Sequence, residues 1–483
     1  MTILRRATYG TIRLMDFRAL PGFAFLHAAT KRRSYHFCLL ACTAGLLSAV
    51  ACGRPARADD VPRLGPVNHT TLPNGLQVIV ADAGSIDLET IDIWVGAGTR
   101  RETAENNGAA HFIEHLIFKG TPTRKPGEID AAIEDLGGTL NAATSYDWAH
   151  FYVTVSAADT KAAMAVLADA LQHAEMRQED MDQERGVILN EMARQQSDPI
   201  QQLTQVYNAM EFPNHPYGRP LLGTESSISS MKRQTVLDFY HANYVPANVT
   251  VILSGSLPQS EALGIATKAF GGWSSRPIAS DKVLPQPKQT TIRSQLLFGP
   301  VTRGYLVMGF HAPSVSDLPD AYAIDVLLTY LGQGGNNRLE DQLLRHDKVV
   351  ESVTSNYLTQ HDPGTLTIAA SFEPGNRDRV VKDILSEIDA LRDKPISASE
   401  LAAAKHTLLS SYLFDVQTAS GRANALGFYN TIDTYNYDTD YIRHFMSVTA
   451  EQVQDVARKY LDTSAYTLVS MSPRQDPITA SNR

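Results

Sequence analysis

Cysteine is nearly missing from this chain. Its 483 residues include three, Cys38, Cys42 and Cys52, and all of them fall in the first 58 positions. Everything after residue 58 can therefore form neither a disulfide nor a cysteine metal site, and any metal there must be held by histidine and carboxylate. Basic residues are also scarce, with 43 Lys and Arg against 52 Asp and Glu. The first 58 residues hold nine of the basic residues and one acidic residue, which leaves 34 against 51 beyond them, a net charge of −17. Such acidity favours solubility and argues against a groove for nucleic acid. Long apolar runs are absent apart from Phe37 to Ala51, which is too short to span a bilayer comfortably. That run follows Lys31-Arg32-Arg33 and precedes Ala56-Arg57-Ala58, a small-x-small cleavage site. Residues 1–58 are thus expected to be a secretory signal peptide, with the mature chain starting near Asp59 in the periplasm or outside the cell and carrying no transmembrane segment. Met15 is an alternative start, Arg32-Arg33 fits a twin-arginine signal poorly, and a lipoprotein anchor at Cys52 is a minor alternative.

The residues that are present point to one stretch, Gly108-Ala-Ala-His-Phe-Ile-Glu-His-Leu-Ile-Phe-Lys-Gly-Thr121. Its apolar residues recur at helical spacing, so His111 and His115, four apart, share one face. Two imidazoles stacked in this way can grip one divalent ion, and zinc favours them. Glu114 stands beside them, where a carboxylate can take a proton from a water polarised by the ion. The plainer alternative is a half-buried helix whose histidines are rim residues. A catalytic zinc usually keeps three protein ligands, so a third is required. Glu184 and Glu191, seven apart on a second helical pattern and accompanied by Val187, Ile188 and Leu189, are the candidates. Either could serve, and a merely solvated carboxylate face is the competing account.

Around these motifs the spacing predicts strands over 76–81, 89–96 and 150–156, and helices over 128–136, 161–172 and 178–195. Gly137-Gly138 reads as a tight turn before the third strand. Gly271-Gly-Trp-Ser-Ser-Arg-Pro through Pro285-Gln-Pro287 is a Gly/Ser/Pro linker. Beyond it the order of elements repeats: strand 305–310, helix 321–330, strands 351–358 and 365–371, helices 377–391 and 398–413. The expected organisation is a catalytic domain over 59–271, a linker over 272–290 and a second domain of the same kind over 291–483. The fold class is α+β, each domain an antiparallel sheet with helices packed on one face. The second copy lacks His-x-x-Glu-His and has Ser410-Ser411 in place of the acidic pair, so it cannot hold the same metal.

Taken together, the inverted His-Phe-Ile-Glu-His order, Glu184-Arg-Gly-Val-Ile-Leu-Asn-Glu191, Gly137-Gly-Thr-Leu-Asn-Ala-Ala-Thr144, His215-Pro-Tyr-Gly-Arg219 and Phe239-Tyr-His-Ala-Asn-Tyr-Val-Pro-Ala-Asn248 resemble the pitrilysin/insulinase/mitochondrial-processing-peptidase family of zinc peptidases. The resemblance runs from about residue 68 to 470 and is to the two-domain bacterial type. It implies a zinc-dependent endopeptidase acting on peptides or unfolded segments. In it His111, His115 and Glu191 would bind one Zn²⁺, Glu114 would be the general base, and Glu184 would orient a ligand histidine. It further implies that Leu140, Asn141 and Ala142 lie on an edge strand pairing with substrate, and that Arg338 and Arg345, after Gly332-Gln-Gly-Gly, bind substrate. Where relatives place a tyrosine before Ser-Val, this chain has Glu351. A carboxylate there cannot donate a hydrogen bond when ionised, which favours a heterodimer with a related subunit over a homodimer. The rival from another class is a non-catalytic binding or assembly subunit.

Overall fold

Runs of branched residues and amphipathic helices alternate in the same order twice along the chain. A computed structural model describes residues 64–474 apart from 85, 279, 281, 282, 284, 285 and 336. The leader, its three cysteines and the expected start at Asp59 lie outside the described residues. The first half comprises β1 (Val67–Thr71), β2 (Gln77–Asp82), β3 (Leu88–Val95), α1 (Ala109–Leu116), α2 (Glu128–Glu134), β4 (Asn141–Thr144), β5 (Ala149–Ser156), α3 (Thr160–His173), α4 (Gln178–Gln195), α5 (Pro199–Glu211), α6 (Glu225–Ser230), α7 (Arg233–Asn243), β6 (Val249–Gly255) and α8 (Gln259–Phe270). The second comprises β7 (Arg293–Gly299), β8 (Gly304–His311), α9 (Leu318–Leu331), β9 (Ser352–Tyr357), β10 (Thr365–Phe372), α10 (Arg377–Asp393), α11 (Ala398–Asp415), α12 (Ala419–Ile432), α13 (Asn436–Ser447), α14 (Ala450–Tyr460) and β11 (Thr467–Pro473). Among the described residues no helix is long and apolar enough to cross a membrane.

The two sheets share one topology. The first runs β1-β2-β6-β3-β5-β4 and the second β7-β11-β8-β10-β9, so each half returns its last strand to the middle of its sheet. Each sheet is antiparallel except for one pair, β2 with β6 and β7 with β11. The exception is a geometric necessity. Strands β2 and β3 run in opposite directions, and a strand inserted between them must be parallel to one. Among the described residues the second sheet has no counterpart of β1.

Each half covers one face of its sheet with its own helices. In the first half Ile91, Ile93, Val95, Phe151 and Val153 face α1, α3, α7 and α8 in one apolar core. The other face of each sheet is covered by a helix from the opposite half. Helix α12 lies across β3 and β6, and α5 lies across β8 and β11. The fits are reciprocal. A Cβ on Gly427 of α12 would stand 2.1 Å from Trp94 Nε1 of β3, and one on Gly309 of β8 would stand 2.2 Å from Tyr207 Oη of α5. Trp94 also packs on Trp148 at 4.7 Å between centroids, and Asn430 of α12 donates to Thr250 Oγ1 of β6 at 3.0 Å.

Candidate metal centre

Helix α1 begins at Gly108, whose φ of 96° is a left-handed turn that a side chain would strain. The helix start is held by Glu102. Its Oε2 accepts from Gly108 N at 2.9 Å and its Oε1 from Ala110 N at 2.8 Å, which satisfies amides that a helix N-terminus leaves free. Burial is the largest influence on Glu102 and pushes its pKa up to about 7, against the pull of those amides. All eight residues of α1 are buried, Phe112, Ile113 and Leu116 among the core side chains. The histidines therefore sit beneath the surface with their rings 4.7 Å apart.

Helix α4 lies alongside. Its buried positions, Asp180, Met181, Glu184, Ile188, Glu191 and Met192, form one stripe at helical spacing, which places both glutamates toward α1. The apolar neighbours that marked this helix in the sequence behave differently: Val187 is 42% exposed and only Ile188 is buried. Burial of the glutamates follows from the stripe they share with Met181, Ile188 and Met192. Arg185 anchors α4 by donating to the carbonyls of Ile228 and Met231, and its guanidinium lies over the Phe112 ring.

The structure brings His111, His115 and Glu191 together, one donor atom from each lying within 4.8 Å of the others. Glu191 Oε2 is 3.6 Å from His111 Nε2 and 3.7 Å from His115 Nε2. His111 Nδ1, His115 Nε2 and Glu191 Oε2 are buried and lack hydrogen-bond partners among the described residues. Buried polar atoms are rarely left so, and a cation held between His111 Nε2, His115 Nε2 and Glu191 would satisfy His115 Nε2 and Glu191 Oε2, though not His111 Nδ1, which points away from the cluster. Two imidazoles and a carboxylate with no thiolate is a donor set suited to catalytic zinc. The residues fit the metal.

Glu184 takes a different place. Its Oε2 is 2.9 Å from His115 Nδ1 and its Oε1 is 2.8 Å from Lys119 Nζ. This contact fixes the ring of His115 and turns Nε2 toward Glu191. Burial alone would lower the pKa of His115, but Glu184, Glu191 and Glu114 outweigh it and raise the value to about 9. Burial likewise works to raise Glu184 and Glu191, and their contacts with His115 bring both below the ordinary carboxylate value. Burial lowers His111. The pocket is thus negative and attracts a positive charge.

Glu114 accepts a hydrogen bond from Thr144 Oγ1 at 2.5 Å. Thr144 ends β4, which is the open edge of the first sheet, and Asn141 and Ala142 lie on this strand with Leu140 just before it. The hydroxyl of Tyr244, at the end of α7, is buried without a partner, and its pKa is pushed well up by burial and by the charge of Glu114. Thr144, Lys119, Glu102 and Tyr244 escaped the motif reading because nothing in their spacing marks them. Lys119, Thr144 and Tyr244 do lie inside the quoted runs 108–121, 137–144 and 239–248.

The second-half candidates are placed elsewhere. Arg338 pairs with Glu387 of α10 at 2.6 Å, and Arg345, on a π-helical turn over Glu340–His346, pairs with Asp341 at 3.2 Å. Among the described residues neither is in polar contact with the metal cluster. Glu351 is half exposed and pairs with Arg303 at 3.0 Å.

Two family models match the chain: the insulinase (peptidase family M16) domain over residues 78–225 and the peptidase M16 inactive domain over 230–408. An uncharacterized zinc protease of Mycobacterium leprae is 30% identical, the match covering 83% of this chain and 90% of that one. A probable mitochondrial-processing peptidase subunit beta of Arabidopsis thaliana is 28% identical over 84% of this chain and 78% of its own length. A crystal structure of a protease from Helicobacter pylori superposes with a TM-score of 0.81 at 23% identity, covering 85% of this chain and 100% of the other.

Proposed function

Because this chain belongs to the insulinase family of peptidases, family M16, we propose that it is a zinc-dependent endopeptidase cutting peptides or unfolded protein segments. The observation that carries this reading is the buried His111–His115–Glu191 cluster, with its unsatisfied facing atoms and Glu114 alongside. Zinc held by these three residues would supply Lewis acidity toward the scissile carbonyl and the attacking water. The rest falls to the chain itself. An extended peptide adds to the open edge of β4 through main-chain hydrogen bonds, and Leu140, Asn141 and Ala142 set its register. Glu114 accepts a proton from the attacking water and passes it to the leaving amine. The hydroxyl of Thr144 holds Oε2 of that carboxylate, which ties the base to the strand that presents the substrate. Glu184 keeps the His115 proton on Nδ1 and leaves Nε2 free as a ligand, and Lys119 balances its charge.

The rival reading, a non-catalytic subunit, would be favoured by loss of a motif residue, and His111, Glu114, His115 and Glu191 are all present. We further propose that the chain works in a pair with a related, different subunit, a homodimer being the alternative. The naming of one relative as a processing-peptidase subunit supports this, as does Glu351, an acidic group where a hydrogen-bond donor is expected. The leader supports a periplasmic setting. Metal analysis of the purified chain, with a peptide-library digest before and after chelation, tests the central reading. One zinc per chain and chelator-sensitive internal cleavage are expected. A zinc-loaded chain that cuts nothing, alone or with any co-purified partner, rejects it. Sedimentation alongside the digest tests the pairing, which a fully active monomer would overturn.

A further inference from the structure

A loop of the second half reaches the segments that flank the metal site. Between β9 and β10, Asp362 projects into the first half, where its carboxylate accepts from Arg100 Nε at 2.6 Å and Nη2 at 3.3 Å and lies 3.1 Å from His215 Nε2. The loop backbone is gripped as well. Asp362 N donates to Tyr217 Oη at 3.1 Å, and His361 N donates to Asp147 Oδ2 at 3.1 Å. Tyr217 Oη in turn donates to Asp147 Oδ1 at 2.7 Å. His215 and Tyr217 belong to the His-Pro-Tyr-Gly-Arg run, whose part in the molecule is thus to receive this loop.

The two segments clamped by the loop are those that set the site. Arg100 belongs to the turn Thr99–Arg101, and the next residue is Glu102, whose carboxylate receives the first amides of α1. Arg219, from the same run, donates to the Glu102 carbonyl. Asp147 lies three residues past Thr144, the residue that holds Glu114. The two segments are also joined to each other, Thr99 N to Ser145 O at 3.2 Å and Arg100 N to Tyr146 O at 2.7 Å.

We propose that Asp362 is a positioning residue of the metal site, fixing the start of the metal helix and the end of the substrate-edge strand relative to each other from the opposite half of the chain. It touches neither the metal ligands nor Glu114 and acts through Arg100, His215 and the turn that ends in Glu102. Its importance for turnover rests on the peptidase reading above, whereas its grip on the two segments does not.

Hydrogen exchange on the full-length protein separates these two statements. In Asp362→Ala, amides of residues 108–112 and 141–148 should exchange at least about tenfold faster, because local opening becomes easier where buried contacts are lost. Asp362→Glu, which keeps the carboxylate, should restore most of the protection. Asn430→Ala removes a different contact between the halves, that of α12 with β6, and should leave both segments as in the parent. Peptide turnover should fall about tenfold in Asp362→Ala at unchanged zinc content and recover in Asp362→Glu. Should the alanine variant not fold, Asp362→Asn is measured in its place, with the same direction expected. Unchanged exchange in both segments, an equal effect from Asn430→Ala, or faster exchange with undiminished turnover would overturn the proposal. If the zinc-loaded parent cuts no peptide, alone or with any co-purified partner, but the exchange pattern appears, the grip stands and the peptidase reading fails.

Discussion

Glu114 and Glu191 are both buried carboxylates within reach of the same histidines, and their partners separate their work. Glu191 faces His111 and His115 with an oxygen that has no donor, whereas Glu114 receives the Thr144 hydroxyl and belongs to no ligand triad. Glu114→Gln keeps the shape and removes the base, so zinc content should stay at the parent level while peptide turnover falls by about 10²–10⁴-fold. Glu191→Gln or His111→Ala should instead lower zinc occupancy, and Glu184→Gln should weaken metal affinity by roughly 10–100-fold. Metal analysis beside peptidase assays of the four variants checks this. A zinc-free Glu184→Gln with a fully loaded Glu191→Gln would exchange the two assignments.

A second residue-scale prediction concerns a carboxylate far from the motif. Glu211, at the end of α5, is 0% exposed where α5 meets the second sheet, and among the described residues its carboxylate accepts no well-formed hydrogen bond, its near neighbours being His311, Thr467 and Arg293. Burial raises its pKa from 4.5 to about 7, with Thr467 and Arg293 opposing. Between those values the unfolded chain gives up the proton and the folded chain keeps it, so stability falls as pH rises and the cost is complete above about 7. His311, 3.0 Å away, is lowered to about 4 by burial and by Arg293. It acts in the opposite sense, since from 4 to 6.5 the unfolded chain holds the extra proton and stability rises with pH. The two slopes oppose each other across most of this range. Glu211→Gln removes the falling one, so its stability relative to the parent should improve from pH 4.5 to 8 by on the order of 3 kcal/mol. Denaturant titrations at the two pH values measure it, and an unchanged difference would show that Glu211 is ionised throughout.

At the scale of elements, much of the site could be read from spacing. The repeat of His111 and His115 needs only a helix to put them on one face, and an eight-residue helix is there. Strands and helices expected at 178–195, 305–310 and 365–371 lie within a residue or two of α4, β8 and β10. The reading did not extend to α5 and α12. Ala419–Ile432 has ten of its fourteen residues buried, with a glycine, two asparagines and an arginine among them. A helix covered on nearly every side has no polar face to give a period. Likewise, no local pattern predicts that a strand returning late in each half must run parallel to one neighbour. The start of α1 offers an element-scale test. Gly108→Ala would place a Cβ 2.6 Å from Ile228 Cδ1 and 2.9 Å from Leu222 O in a left-handed backbone. It should cost about 2 kcal/mol in stability and reduce zinc occupancy by shifting the first turn of the helix. Calorimetry with metal analysis reads both, and an unchanged zinc affinity would show that the histidines do not depend on where the helix begins.

At the scale of the whole molecule, the exchanged helices make the two halves one folding unit. Segment 271–292 joins them in sequence, yet α5 and α12 cross in space, each filling the face that the other half leaves bare. Without α12 the outer face of the first sheet would expose Ile79, Trp94, Trp148 and Ile252, all now at most 1% accessible. Burying side chains of that size is worth about 2 kcal/mol or more apiece, and a contiguous apolar patch of that extent promotes association. The second sheet would similarly uncover Val307, Val469 and Met471, which now pack under Leu203 and Tyr207 of α5. Residues 64–290 expressed alone should therefore aggregate or stay partly unfolded, although they include the whole His111–His115–Glu191 cluster, and so should 291–474. Co-expressed, the two fragments should form a soluble complex that melts in one transition and holds zinc. A first-half fragment that is monomeric, cooperatively folded and zinc-loaded would show that α12 is dispensable and that the halves are separate domains in energy as well as in sequence.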